Sequence, residues 1–250
     1  CEDYAIISGG PMTGNLSHKG AVVTKTTNGI LLMPEQHIVV QKHRAKTTVS
    51  VNRAKSSCCH CRMCTDLCPR NLLGQPVHPH ALMNALSRGG RQIDSKALLG
   101  NLYCVSCGVC EMYACQQGLN PRALIAEFKD AMRKEGVRPP MLEQPAAPVH
   151  PHRNQRRVAM QRLKERLDLA KYDLPAPLVD QQVGLSEFTL PLSQSIGAPA
   201  AAAVKEGQQV RKGDLIGAYQ EDALSLPIYA SVSGTVTRVT GRDITIKKEG

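Results

Sequence analysis

Short apolar runs broken by glycine occupy both ends of the chain, and apolar residues at helical spacing fill its middle. Residues 4–8 read as a strand that ends on Gly9-Gly10-Pro11, with Gly14 following, where glycine supplies the positive φ of a tight turn. Residues 21–24 and 29–32 read as further short strands, and residues 37–41 alternate as another. Residues 1–50 are thus expected to form a small β-rich module.

Beyond it the period changes. Residues 80–87 and 93–99 are patterned as helices. Asn120 reads as an N-cap with Pro121 at the first helical position. Leu124, Ile125, Phe128, Ala131 and Met132 then fall on one face, and Gly136 ends the helix. Residues 51–137 are therefore expected to be an α-helical domain. Residues 138–182 begin with Pro139-Pro140 and read as an extended connector carrying one helix over residues 155–170. Met160, Leu163, Leu167 and Ala170 form its apolar stripe, while Arg156, Arg157, Arg162, Lys164 and Arg166 lie elsewhere. It reads as a solvated helix docked on its own domains rather than a partner-binding tag. In residues 183–250 six short strands are expected, at 188–190, 209–211, 215–218, 228–231, 235–240 and 243–246. Glycines 207, 213, 217, 234 and 241 punctuate them, as in an all-β barrel or hybrid sandwich. The expected fold class is multidomain α+β.

With two Phe, six Tyr and no Trp in 250 residues, several small modules fit better than one thick core. The chain begins at Cys1 rather than Met, in a segment that already reads as mid-strand, and is read as the C-terminal part of a longer polypeptide or a processed product. No basic-then-apolar leader opens it, and no apolar run approaches the ~20 residues of a membrane helix, so it reads as soluble. The formal charge of +10 raises nucleic acid as a partner. The basic residues are, however, dispersed with few aromatics to stack bases. Nucleic-acid binding is set aside.

Nine of ten cysteines crowd into positions 58 to 115. Steps of Cys-x-x-Cys wrap a metal better than they form structural bridges, and a reducing compartment fits them. The first motif is Cys58-x-x-Cys61-x-x-Cys64-x-x-x-Cys68-Pro69. Its first three thiolates can hold three irons of one cubane, while the fourth departs on a chain turned by proline toward another cluster. The second motif is Cys104-x-x-Cys107-x-x-Cys110, then four residues, then Cys115. Its last gap is one residue longer, and Gln116 stands where proline is usual. Two motifs in one segment favour reciprocal ligation of two [4Fe–4S] clusters. Cys58, Cys61, Cys64 and Cys115 would hold one, and Cys104, Cys107, Cys110 and Cys68 the other, in an α-helical ferredoxin domain. Zinc on four cysteines is the alternative, but zinc uses pairs, and each motif has a third cysteine at the same step. Cys59 would point away from the cluster, and Cys1 reads as a buried hydrophobe or unpaired end. His60 reads as polar surface, with a hydrogen bond to sulfur as its other possible role. His78 and His80 read as turn and capping residues, not a metal pair.

Near the C-terminus, Ile196-Gly197-Ala198-Pro199, the run from Val204 to Asp214 and Ala230-Ser231-Val232-Ser233-Gly234-Thr235-Val236 resemble a lipoyl- or biotinyl-type hybrid barrel. Carrier versions display lysine at a hairpin tip. Residues 219–228 contain none, which leaves a structural or docking role.

Taken with Ser8-Gly9-Gly10-Pro11-Met12-Thr13-Gly14 and the two cysteine motifs, this signature resembles the RnfC-like iron–sulfur flavoproteins over nearly the whole chain. The barrel comes last here, as in the bacterial-microcompartment branch, and not first as in respiratory subunits. The resemblance implies an NADH-dependent oxidoreductase in which electrons pass from NADH through FMN and two [4Fe–4S] clusters to an acceptor. In the microcompartment branch that acceptor is a corrinoid cobalt, reduced for an adenosyltransferase. It further implies that residues 1–50 are a soluble-ligand-binding β-grasp module and that the NADH- and FMN-binding domain precedes residue 1. A cytoplasmic place in the microcompartment lumen, with a possible shell partner, also follows from the resemblance. An RnfC-type subunit of a membrane complex, a donor to another microcompartment enzyme and a zinc-stapled scaffold are the alternatives.

Overall fold

The computed structural model describes residues 3–91, 93–141, 147–179 and 184–249. Cys1 and parts of the proline-rich connector lie outside the described residues. The chain divides into two compact units, Cys1–Leu16 with Leu31–Pro175, and Ser17–Ile30 with Ala176–Gly250.

In the first unit a three-stranded sheet comes first. It holds β1 (Tyr4–Ser8), β2 (Asn15–Ser17) and β3 (Ile30–Pro34), in the order β2-β1-β3. Ala5 and Ile7 alternate into the core as the two-residue period of a strand requires. Residues 37–41 are not a strand. Helix α1 (Ile38–His43) stands there, with His37 Nδ1 accepting from Val39 N at 3.3 Å as its cap. Val39 and Val40 are both fully buried. Adjacent residues point to opposite faces of a strand, so a one-faced sheet would leave one of them in water. Residues 21–24 form no strand either, and Val22 and Val23 are exposed.

Helix α2 (Thr47–Ser57) runs unbroken through positions 50 and 51. Its weak apolar pattern hid it in the sequence, since only Ser50 and Ala54 are buried. Short helices α3 (Met63–Asp66) and α4 (Pro69–Leu72) follow, then α5 (Pro79–Ser87) and α6 (Ser95–Gly100), the latter capped by Asp94 accepting from Ala97 N at 3.0 Å. Helix α7 (Pro121–Lys134) buries Leu124 and Ile125 as its pattern predicts, while Ala131 is exposed. Ala54, Leu82, Met83, Leu119, Leu124 and Ile125 form the core shared by α2, α5 and α7.

The helix expected over residues 155–170 is shorter. It runs as α8 (Met160–Arg166), and Asp168 at φ 55 interrupts the chain before a 3₁₀ turn at Ala170–Tyr172. Leu167 is buried and Leu163 packs beside it against the core of Ala5, Ile7, Val39 and Met112, whereas Met160 is exposed. The helix does dock on its own unit.

Among its described residues the second unit has seven strands, β4 (Glu187–Pro191), β5 (Ala201–Ala202), β6 (Gln209–Val210), β7 (Leu215–Ala218), β8 (Ile228–Tyr229), β9 (Gly234–Val239) and β10 (Asp243–Lys248). They form two open sheets, β4-β10-β9-β6 and β5-β7-β8, and do not close into a barrel. Antiparallel pairing on both sides of β10 sets Ile244 opposite Leu190 and Val239. Ile216, Val236, Ile244 and Ile246 are fully buried between the sheets. Gly217 is needed because a Cβ there would sit 3.1 Å from each of Ala200, Ile228 and Leu192. The Ser17–Ile30 segment joins this unit through Lys25, whose backbone N–H donates to Gln194 Oε1 at 3.0 Å and whose Nζ donates to Pro227 O at 2.6 Å. No helix among the described residues is long and apolar enough to cross a membrane.

Ile216→Ala should lower the stability of the second unit by about 2–5 kcal/mol, the usual cost of hollowing a core. Calorimetry should show this loss while the iron content of the protein stays unchanged.

Candidate metal centre

The two cysteine loops share one backbone path. In the first, His60 and Arg62 take φ 56 and 63; in the second, Ser106 and Gly108 take φ 55 and 81. These are the second and fourth residues after the leading cysteine in both motifs. Three of the four are not glycine, and a left-handed conformation costs such residues ~1–2 kcal/mol each. A loop accepts that cost when its side chains must converge on something inside the bend. The leading sulfurs are also treated alike. Cys58 receives a hydrogen bond from the His60 backbone N–H, and Cys104 Sγ receives one from Ser106 N at 3.4 Å.

The fourth cysteine of each motif is presented differently. Cys68 N donates to Thr65 O at 2.9 Å, and Pro69 then opens α4, whose first backbone N–H groups point to the Cys68 sulfur. Before Cys115 the chain has one more residue, which is taken up in a π turn, Cys110–Ala114, closed by Cys115 N to Cys110 O at 3.2 Å. A π turn holds one residue more than an α turn, so the longer gap widens the turn and still delivers Cys115 to the site. With Gln116 in place of proline no helix starts there, and Leu119 N supplies the hydrogen bond to Cys115 Sγ at 3.3 Å.

One group of cysteines mixes the two motifs. Cys58, Cys61 and Cys64 line one cavity with Cys115. Its volume of about 30 Å³ exceeds the ~10–15 Å³ that one water needs. Met83 and Leu119 make part of its wall, and the exposed Cys59 lies at its edge. Cys68 lies within electrostatic reach of Cys104 and Cys107, and Cys110 within reach of Cys104, Cys64 and Cys68. Burial pushes the Cys64 thiol up to about 12, holds Cys110 far above the ordinary range and raises Cys58, Cys68 and Cys104. Such sites favour charge only when a cation offsets it. All nine described cysteines are unpaired, and no three His, Cys, Asp or Glu side chains among the described residues are gathered as one metal ion would need. Cys58, Cys61, Cys64 and Cys115 surround a space, not a point. Four thiols with backbone N–H donors around such a space fit a [4Fe–4S] cubane.

Charged side chains that the sequence reading missed hold the loops. Glu111, fully buried inside the π turn, accepts from Arg122 Nη2 at 3.2 Å and from Ala123 N at 3.0 Å. It therefore caps α7, the role expected of Asn120. The Asn120 amide instead donates to Ser50 Oγ at 2.9 Å, and its Oδ1 accepts from Lys42 Nζ at 3.0 Å. Lys42 Nζ also donates to Gly118 O at 2.6 Å, tying α1 to the chain beyond Cys115, and burial lowers its pKa. Lys129 Nζ donates to Cys104 O at 2.9 Å. No pattern in the sequence marks these pairings, because each joins distant segments.

His60 is bound away from sulfur, with Nδ1 2.5 Å from Asn84 Oδ1 and Nε2 3.3 Å from Ser87 Oγ. Only its backbone serves Cys58. His78 and His80 do not cap α5 with their side chains. His80 Nδ1 pairs with Thr65 Oγ1 at 2.8 Å, and burial lowers the pKa of both rings.

Residues 57–120 match the family described as a 4Fe-4S dicluster domain, and residues 177–249 match the RnfC Barrel sandwich hybrid domain. The class these matches point to is iron–sulfur electron transfer, and over residues 177–249 the chain is similar to the RnfC-like proteins. Among curated relatives, the "Cobalamin reductase PduS" of Salmonella typhimurium is 35% identical over 246 residues, covering 98% of this chain and 54% of the relative. The protein of the same name from Citrobacter freundii is 34% identical over 246 residues, with the same coverage. The chain thus spans about half the length of the curated relatives it matches.

Glu111→Ala should destabilise the first unit by about 3–5 kcal/mol by leaving Arg122 buried without its partner. Denaturant unfolding should show that loss, and adding Arg122→Met should return part of it.

Proposed function

We propose that the chain is the electron-carrying part of a cobalamin-reductase-like oxidoreductase. Cys58, Cys61, Cys64 and Cys115 hold one [4Fe–4S] cluster, and Cys68, Cys104, Cys107 and Cys110 hold the other. The observation that carries this reading is the cavity lined by three cysteines of the first motif and the last cysteine of the second. When bound, the clusters supply one-electron chemistry. The protein's own contribution is to exclude water around Cys68 and Cys110, donate backbone N–H groups to sulfur and fix the loops through Glu111 and Lys42.

The similarity to cobalamin reductases supports a corrinoid as the acceptor, with the product passed to an adenosyltransferase, and a place in the lumen of a bacterial microcompartment. NADH and FMN belong in this reading to residues outside the 250, since no glycine-rich nucleotide loop opens a helix in them. Residues 1–50 serve as a β-grasp ligand module, 51–137 as the two-cluster domain, 138–182 as a connector and 183–250 as a docking module.

Anaerobically purified protein should carry about eight irons and eight sulfides. Cys68→Ala should spoil the electron paramagnetic signal of the cluster on Cys104, Cys107 and Cys110 and spare the other. Stoichiometric zinc, or loss of the Cys58 cluster instead, would refute the assignment. The cluster-loaded chain should accept electrons from dithionite yet fail to oxidise NADH until joined to a flavin-bearing domain, because a flavin must split the hydride pair into single electrons. Stopped-flow bleaching of the cluster absorbance reads both halves of this expectation.

A further inference from the structure

Two histidine rings line the cavity of Cys58, Cys61, Cys64 and Cys115. Both nitrogens of His60 are engaged, one by Asn84 Oδ1 and the other by Ser87 Oγ. His80 is held at one nitrogen only. Thr65, the residue after Cys64, is 1% exposed, and its Oγ1 accepts from the His80 backbone N–H at 3.0 Å and lies 2.8 Å from His80 Nδ1. These are the two partners of that hydroxyl among the described residues. A hydroxyl shut away from water needs an acceptor for its own hydrogen. His80 Nδ1 is the acceptor in reach, so the Thr65 O–H donates to it and the ring hydrogen lies on Nε2. The opposite tautomer would leave the buried hydroxyl hydrogen unpaired. Burial, and then the Arg62 charge, lower the His80 pKa, in keeping with a neutral ring that accepts at Nδ1. His80 Nε2 makes no hydrogen bond among the described residues, and unlike Asn101 Oδ1 it is not shut in by packing.

We infer that His80 Nε2–H is a hydrogen-bond donor to the cluster held by Cys58, Cys61, Cys64 and Cys115, and that Thr65 is the positioning residue that keeps the hydrogen on Nε2. The inference rests on the cluster reading above and adds a residue that sets the potential of one cluster. Reduction adds a negative charge to a cubane, so a donor at its sulfur stabilises the reduced form more than the oxidised one and raises the potential. Backbone N–H groups serve thiolates of both motifs. His80 differs in being a side chain, carried by α5 into the wall of one cavity and fixed there by the residue beside a ligand. His78, on the same turn, accepts from Asn71 Nδ2 at 3.3 Å through its Nδ1 and does not line that cavity, which makes it the natural control.

Redox titration of the cluster-loaded chain, followed by electron paramagnetic resonance, reads the midpoint of each cluster. His80→Phe should move the Cys58 cluster about tenfold toward its oxidised form, a fall of ~59 mV for one electron. The cluster on Cys104, Cys107 and Cys110 should stay where it was. Thr65→Val, which lets the ring hydrogen settle on either nitrogen, should give part of that fall. Thr65→Ser, which keeps the hydroxyl, should retain the parent value, and His78→Phe should leave the Cys58 cluster unmoved. Electron–nuclear double resonance on the reduced parent in deuterium oxide should show an exchangeable hydrogen at the Cys58 cluster that His80→Phe removes. An unmoved midpoint in His80→Phe, an equal fall in both clusters, or a fall in Thr65→Ser as large as in Thr65→Val would overturn the inference. Should His80→Phe lose iron, the two Thr65 variants decide the question. The iron and sulfide count of the parent tests the cluster assignment separately, so a parent with about eight irons and variants with unmoved midpoints would sink this inference alone.

Discussion

Burial of thiols is the constraint on which the helical unit turns. A cysteine sulfur shut away from water resists ionisation, as the rise of Cys64 to about 12 and the rise of Cys110 show. Gathering Cys58, Cys64, Cys68, Cys104 and Cys110, all raised by burial, is unfavourable for a metal-free chain that must ionise them. Their placement becomes intelligible once cations and backbone N–H donors share the charge. The strained residues His60, Arg62 and Ser106 belong to the same account, since their left-handed backbones bend each loop inward.

That convergence needs rigid ends. Helices α2, α5 and α7 give the loops a common apolar floor, into which Cys58, Cys104 and Cys115 also pack. The π turn then solves a problem of length. One residue too many separates Cys110 from Cys115, and the wider turn stores it without moving the last thiol out of range. Glu111 sits at that turn and carries a second task, because its carboxylate accepts from the Ala123 N–H in the first turn of α7 and from the Arg122 guanidinium together. The turn, the helix start and the ligand loop are therefore one cooperative arrangement.

The second unit follows a different logic. Its sequence holds no cysteine, its described residues bury no charged side chain, and its stability rests on Ile216, Val236, Ile244 and Ile246 closing two open sheets on each other. Its hairpin between β7 and β8 lacks the lysine of a carrier domain. What remains is a scaffold whose glycines, Gly217 and Gly234, let strands approach more closely than any side chain permits.

The cysteine spacing alone determined the chemistry and the chain segment that bears it, because a cubane's ligands recur at short fixed steps that need no distant partner. The strong helices α5 and α7 and most C-terminal strands were legible for the same reason, their apolar periods being local. Contacts between distant segments were not. The sequence reading of residues 37–41 as a strand failed because alternation over five residues fits either element, and only the joint burial of Val39 and Val40 chose the helix. Asn120 looked like a cap until Glu111 arrived from the neighbouring turn to take that role. The longer gap before Cys115 was visible as an anomaly, yet whether it displaced the cysteine or widened a turn depended on the backbone bond back to Cys110. Lys42 had no signature at all, since a long side chain chooses partners by proximity in space and leaves no periodicity in the chain.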